Sequence, residues 1–401
     1  GLIDGAAVMM PDPVLILFLQ MADGETTINE MAEKVTMSTG QIVPPGIFES
    51  MAEQLDEALL LQSDRFVEAL RKKYEDFLAS PVRPYRVFAE ENKDRLKMLK
   101  ELGDEMRRHK MSALSPPERM DLPAGSVVGV IAPHIDYQRG GEAYAWAYQA
   151  LKEHGTGART YIILGTSHRP TPGRFVGTKK HFDTPFGQIE TDAQIVDEIA
   201  EEYGSDLFAG EYLHADDHTV ELNATYLGHT FPDEDIKIVP ILVRSFEDYL
   251  YSDESPDEDE DVQKFCAALR KVIERHGNEV AIIGGVDFSH CGPEFGDEAP
   301  NDEAKVKEVE AADHEALDQI EKMDPKAFFE VFRPDQNGHK VCSIGTVYCV
   351  MEALKGKADA KVLNYQQANS EDKNCLVSFA SVAFMKEGAG DGKQSKIILL
   401  S

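Results

Sequence analysis

Apolar residues near the start of the chain recur at the spacing of amphipathic helices. Ile28–Val35 follows a turn signal, and Gly46–Leu61 repeats the spacing before it ends in three leucines. A helix, a turn, a second helix and a short apolar hairpin-like end at Leu59 to Leu61 form the outline of a winged-helix module. The pattern therefore predicts a small, mainly helical domain over residues 1–80.

The next segment is dense in charge. Residues 81–122 carry prolines at both ends, and the charges of Arg86–Met111 alternate in sign along the run. Alternating charge is typical of a solvent-exposed helix. We therefore predict a charged helical linker over residues 81–122, with one exposed helix inside it.

From Gly125 onward, short β-branched runs alternate with longer amphipathic stretches. This alternation is typical of an α/β domain in which buried strands lie between covering helices. Residues 123–401 are therefore predicted to form an α/β sheet flanked by helices. The predicted strands are Val127–Ala132, Thr160–Leu164, Ile236–Val243, Val280–Gly285 and Leu376–Met385, and the predicted helices include Tyr144–Glu153 and Val262–His276.

Composition narrows the classes of function. The 401 residues include 41 Lys and Arg against 72 Asp and Glu, a formal net charge of −31. A phosphate backbone or an anionic membrane surface attracts a surplus of basic residues, so this charge disfavours both partners and makes a DNA-binding regulator the weakest hypothesis. The apolar run Val14–Met21 is much shorter than the ~20 residues that a bilayer requires, and it has no basic leader. We therefore expect neither a nucleic-acid nor a membrane partner.

The five cysteines are few and unevenly spaced, which argues against a disulfide scaffold. We therefore expect a cytoplasmic protein whose thiols are available for other chemistry. The nearly all-acidic run Asp253–Asp261 is predicted to be a solvated surface loop and not a metal site, as is usual for runs of like charge.

Three of the predicted strands are each followed by a histidine. In an open α/β sheet, ligands bind outside the carboxyl ends of the strands, so equivalent histidines at three strand ends favour one common cleft. A single such histidine would more often be a structural hydrogen-bonding group. The three histidines are His134, His168 and His290, with Asp287 close to the last of them.

Other candidates lie outside the strand ends. His218 and Glu221 are three residues apart, so on a helix they would share a face, where Glu221 could orient a ligand or act as a base. The alternative is a surface pair on an acidic chain. Cys342 precedes a small-residue turn into an apolar helix, whose N-terminus would favour the thiolate; the alternative is an inert core thiol. A cysteine with two or three histidines accepts iron(II), copper or zinc.

Six segments, in this order, resemble the Memo family, whose prokaryotic members are called AmmeMemoRadiSam system protein B. The segments lie between Gly125 and the C-terminus and read APHIDYQRGGEAYAWAY, ILGTSH, FDTPFG, DHTVEL, VDFSHCG and VCSIGTVYCVMEAL. The resemblance implies an α/β fold similar to that of class III extradiol ring-cleaving dioxygenases, which hold non-haem iron. It also implies a metal bound by His134, His168 and Cys342.

The same resemblance assigns further site residues and shows where this chain departs from the family. Asp287 and His290 match a D-F-x-H motif, and His218 and Glu221 match an H-S-x-E motif with Thr219 replacing the serine. A family glycine is Asp136 here, and a histidine that often follows His168 is Arg169. These two departures leave the three ligand positions intact and change the substrate pocket around them.

The N-terminal region resembles PqqD-like peptide-binding domains, which are found beside radical-SAM enzymes. With the family match, it implies a radical-SAM enzyme as partner and a peptide or small molecule as substrate. The first hypothesis is a non-haem, metal-dependent oxidoreductase that holds iron or copper, with zinc also compatible. In it, His290 is the acid/base, Asp287 orients His290 or competes as a ligand, and His218 and Glu221 are further catalytic candidates. The alternative is a non-catalytic accessory protein that binds a peptide and docks on a radical-SAM enzyme.

Overall fold

The computed structural model describes residues 13–86 and 120–389, and the chain divides into two compact units at a boundary between Ala79 and Ser80. The first unit is helical and has an apolar core of its own, built around Phe18, Val35 and Phe48. Its described helices are α1 (Pro13–Met21), α2 (Ile28–Thr39), α3 (Pro45–Glu57) and α4 (Asp64–Ala79).

The prediction of a hairpin-like end at Leu59 to Leu61 is wrong. The described residues 13–79 contain no strand, and Leu59 adopts a left-handed conformation with φ of 57° that ends α3 and turns the chain toward α4. The predicted exposed helix Arg86–Met111 lies outside the described residues except for Arg86. The second unit begins at Ser80, so it also includes residues 81–86, which the sequence assigned to the linker.

The second unit is a mixed eleven-stranded sheet flanked by helices, so the α/β prediction is confirmed. The strands are β1 (Val82–Arg83), β2 (Val127–Ala132), β3 (Thr160–Ser167), β4 (Phe175–Gly177), β5 (His181–Thr184), β6 (Gly187–Thr191), β7 (Lys237–Arg244), β8 (Val280–Gly285), β9 (Asp287–Cys291), β10 (Ala358–Asn369) and β11 (Leu376–Lys386). The helices are α5 (Tyr137–His154), α6 (Ala193–Tyr203), α7 (Thr219–Thr230), α8 (Glu260–His276), α9 (Glu303–Glu321), α10 (Pro325–Glu330) and α11 (Ile344–Leu354). Short 3₁₀ helices cover Glu211–Ala215, Glu247–Tyr251, Gly277–Glu279 and Pro293–Phe295.

The strands lie in the order β1, β5, β6, β7, β3, β8, β2, β11, β10, while β4 pairs with β7 and β9 pairs with β11. The central strands β7, β3, β8 and β2 are parallel to one another, and β11 and β10 add an antiparallel edge. Side chains of β3 alternate between two apolar cores on opposite faces: Ile162 and Leu164 face one, Tyr161 and Ile163 the other. Burial on both faces explains why the central strands are continuous apolar runs.

The run Asp253–Asp261 connects β7 to α8 and ends in the first residues of that helix. Asp257 forms an ion pair with Lys326, and Asp259 caps α8 by accepting from the backbone N–H of Val262. No helix among the described residues is long and apolar enough to cross a bilayer.

Candidate metal centre

The centre lies where three adjacent parallel strands end. Because β3, β8 and β2 are neighbours and run in the same direction, their carboxyl ends meet at one edge of the sheet. His134 follows β2, His168 follows β3, and Asp287 follows β8 after one residue. The order and direction of these strands therefore bring the three side chains together.

Two further elements bring polar side chains to the same edge. His218 is the N-terminal cap residue of α7, and Asp217 precedes it. This end of α7 lies directly over β3, since a β-carbon at Gly165 would collide with the side chain of Thr219. Cys342 lies two residues before the start of α11.

Three imidazoles converge at this edge. One ring nitrogen from each of His134, His168 and His218 lies within 4.8 Å of the others. The sulfur of Cys342 lies 3.4 Å from Nε2 of His134, and an Asp287 carboxylate oxygen lies 3.6 Å from the same nitrogen. His134 is buried, His218 and Cys342 are half-buried and His168 is exposed, so the cluster is reachable from the surface.

Each of two imidazoles is oriented through its Nδ1 atom. Nδ1 of His134 lies 3.0 Å from the carbonyl oxygen of Gly285, and Nδ1 of His168 lies 3.2 Å from a carboxylate oxygen of Asp217. Both oxygens can only accept a hydrogen bond, so Nδ1 of each ring donates. Nε2 is therefore the nitrogen available to bind a metal, which for His168 requires release of the Nε2 proton.

Charged groups shift the pKa values of the cluster. Burial raises the pKa of the Cys342 thiol, but His134 and His168 outweigh burial and lower that pKa to about 6. Partial burial lowers the pKa of His168, whereas Asp217 and Cys342 outweigh it and raise that pKa to about 11. The pKa of Asp217 is lowered despite burial because it bonds to His168. The cluster thus contains anionic groups that a bound cation would neutralise.

The remaining titratable groups respond mainly to burial. Burial raises the pKa of Asp287 to about 6, although the backbone N–H of His134 donates to one of its oxygens at 3.0 Å. Burial lowers the pKa of His218 to about 4 and lowers that of His290. His218 is therefore a neutral imidazole at neutral pH, the form that ligates metals.

The structure brings most, but not all, of the sequence-predicted residues together. His134, His168, His218, Cys342 and Asp287 form the cluster. His290 lies beside it, with Nδ1 3.0 Å from the Phe288 carbonyl oxygen and its ring against Phe295. Glu221 is instead fully buried in an ion pair with Arg83.

His218 and Glu221 contact different groups. His218 is the N-cap residue of α7 and its ring lies against those of His134 and His168. Glu221 lies in the first turn of the helix and pairs with Arg83. Asp217 and Arg83 were not among the residues predicted from the sequence. Asp217 is the first residue of the DHTVEL segment, and its position beside a candidate histidine was the only available signal.

The two departures from the Memo pattern have identifiable roles. The Asp136 side chain caps α5, accepting from the backbone N–H of Arg139 at 3.1 Å, and pairs with the guanidinium of Arg139. Arg169 forms an ion pair with Asp216 at 2.9 Å. Both residues are therefore held by charge partners next to the cluster.

Comparisons with known proteins agree with this architecture. A family model described as Memo-like protein matches residues 94–383. A MEMO1 family protein of Aquifex aeolicus is 25% identical over 377 residues, covering 93% of this chain and 91% of the relative. MEMO1 family proteins of Desulfurococcus amylolyticus and Thermococcus kodakarensis are each 27% identical, covering 69% and 64% of this chain and 89% and 86% of the relatives. The chain therefore belongs to the Memo family.

Proposed function

We propose that this protein is a non-haem, metal-dependent oxidoreductase whose metal is held by His134, His168 and Cys342. The proposal is carried by one observation: two imidazoles, each fixed through Nδ1, lie at the carboxyl edge of the sheet with the half-buried sulfur of Cys342, which is 3.4 Å from Nε2 of His134. Iron or copper suits this mixed nitrogen and sulfur set, and zinc is also compatible.

The residues present fit such an ion. Metal–sulfur and metal–nitrogen bonds of about 2.3 and 2.0 Å place two ligands of one tetrahedral ion about 3.5 Å apart. The sulfur of Cys342 lies 3.4 Å from Nε2 of His134. His218 adds a further imidazole nitrogen to the same cluster, and its lowered pKa keeps that ring neutral. The spacing of the ligand atoms and the hydrogen bonds at Nδ1 therefore favour a cation between these side chains.

The surrounding residues have separate roles in the proposed reaction. A bound iron or copper ion would supply Lewis-acid and electron-transfer chemistry at an open coordination position. Asp217 and the Gly285 carbonyl hold the imidazoles in place. Asp287, with its pKa raised to about 6 by burial, holds or releases a proton beside His134. His290 remains the proposed acid/base at the edge of the site.

Metal content tests the proposal directly. Protein purified without oxygen after growth with iron or copper is expected to carry close to one ion per chain by elemental analysis. Adding the metal to the stripped protein should raise its melting temperature, since the ion binds only the folded state. Substoichiometric metal that His134→Ala leaves unchanged would contradict the proposal, and His314→Ala, at an exposed histidine outside the cluster, is the matched control.

A second candidate is a non-catalytic accessory role, in which the first unit binds a peptide and the protein docks on a radical-SAM enzyme. It is favoured by a separate helical unit that exposes Met37, in the last turn of α2, and Ile42, between α2 and α3; their exposed fractions are 82% and 87%. Exposed apolar residues of this kind mark interaction sites when they lie together.

Co-purification tests this candidate with the full chain. A radical-SAM protein encoded beside this chain is expected to be retained by the wild type and lost when Met37→Lys is combined with Ile42→Lys. Val67→Lys, at a 52% exposed position on α4, is the control and should retain the partner. Equal retention by all three proteins would remove the recruiting role.

A further inference from the structure

We propose that Arg83, in the short strand β1, is a positioning residue that holds the loop carrying Asp217 and His218 at the metal centre. The inference rests on the metal site proposed above and assigns it a residue outside the matched segment, because the family model begins at residue 94. Arg83 does not touch the ligands; it acts through the backbone and through Glu221.

All three nitrogens of the Arg83 guanidinium have partners, and only 1% of the residue is exposed. Nε donates to the carbonyl oxygen of His214 at 2.8 Å, and Nη2 donates to that of Asp217 at 2.9 Å. Nη1 donates to the Pro84 carbonyl oxygen at 2.9 Å and forms the ion pair with Glu221. One side chain therefore bonds to the loop at both His214 and Asp217.

Glu221 ties the same guanidinium to the start of α7. It lies in the first turn of the helix, and its second carboxylate oxygen accepts the backbone N–H of Arg86 at 2.7 Å. The strand that carries Arg83 is itself fixed, since β1 pairs with β5 and the guanidinium lies 5.4 Å from the ring centre of Phe182. The residues from His214 to Glu221 are thus anchored to the sheet through one cation.

The anchored loop controls a metal ligand. One carboxylate oxygen of Asp217 accepts from the backbone N–H of His168 at 3.1 Å and lies 3.2 Å from its Nδ1. The other accepts from the backbone N–H and the hydroxyl of Thr219, at 2.9 and 2.7 Å. A shift of the Asp217 backbone would therefore move the group that orients His168 and would also displace His218.

The planar fork of arginine is what allows this arrangement. A lysine ammonium keeps the positive charge beside Glu221 but cannot aim donors at three separated carbonyl oxygens from one rigid group. Arg83→Lys therefore keeps the charge and removes the loop contacts. Outer residues that orient ligands typically change metal affinity by about 10- to 100-fold when they are altered.

The experiment compares Arg83→Lys with Arg270→Lys. Arg270 is a matched control because its guanidinium also bonds a backbone carbonyl oxygen and a carboxylate, both of Glu352, on α11. Two quantities are measured on the full chain: hydrogen–deuterium exchange of residues 214–219 in the metal-free protein, and the Kd for iron(II). Arg83→Lys is expected to speed exchange and to raise Kd about 10- to 100-fold, while Arg270→Lys changes neither.

The two readouts separate failure of this inference from failure of the metal proposal. Unchanged exchange in Arg83→Lys, or faster exchange with an unchanged Kd, would overturn the positioning role. Faster exchange in a protein whose wild type binds no metal would leave the loop anchor standing and reject the metal function. Should Arg83→Lys fold poorly, Arg83→Met combined with Glu221→Leu removes both buried charges, and the same exchange and Kd criteria apply.

Discussion

Replacing Cys342 with serine is expected to weaken the binding of iron(II) or copper by at least about 100-fold, more than the loss of an outer orienting residue. His134 and His168 hold the pKa of the thiol at about 6, so the sulfur is a thiolate at neutral pH. A serine hydroxyl stays protonated at neutral pH and offers a hard, neutral oxygen in place of a soft anion. The substitution therefore replaces an anionic sulfur ligand by a neutral oxygen with little change in the shape of the side chain.

A competition titration with a chelator of known affinity measures this loss, and a thiolate-to-metal absorption band should disappear with it. Cys375→Ser is the control, because Cys375 is buried in a separate small cluster with Val377 and Phe379. A Kd for Cys342→Ser within twofold of the wild type would mean that the sulfur is not a ligand. The histidines would then have to hold the ion without it.

The central strands could be predicted because a strand that is buried on both faces is a continuous apolar run in the sequence. Val127–Ala132 and Val280–Gly285 have the predicted bounds in the structure. The edge strand β10 was missed because many of its side chains are only half-buried and its sequence, ADAKVLNYQQAN, is largely polar. Such an edge strand forms through its pairing with a neighbour, here β11, and its own sequence does not reveal that pairing.

The ends of the strands explain only part of the prediction of the site. His134 and His168 follow neighbouring parallel strands, so their proximity follows from the sheet. The contact between His168 and Asp217 depends on the path of the loop before α7, which no periodicity describes. The partner of Glu221 could not be predicted for a similar reason, because Arg83 lies in a two-residue strand far from Glu221 along the chain.

Replacing Arg83 with methionine is expected to lower the free energy of unfolding by about 3–5 kcal/mol, since it leaves the Glu221 carboxylate buried without its cation. Both side chains are 1% exposed, so solvent does not screen the charge. Adding Glu221→Leu also removes the buried carboxylate that has lost the Arg83 cation and should restore about 1–3 kcal/mol of that loss. Recovery stays incomplete because the carbonyl oxygens of His214 and Asp217 still lack their donor.

Urea unfolding of the wild type, both single variants and the double variant measures this coupling. A double variant no more stable than Arg83→Met would show that the two charges do not stabilise each other. Adding Glu221→Gln to this series decides between two roles for Glu221. A catalytic Glu221 predicts that Glu221→Gln loses activity while the stability and the exchange of residues 214–219 stay unchanged. A carboxylate that anchors Arg83 predicts that stability falls and exchange rises together, because the orientation of the loop depends on the pair.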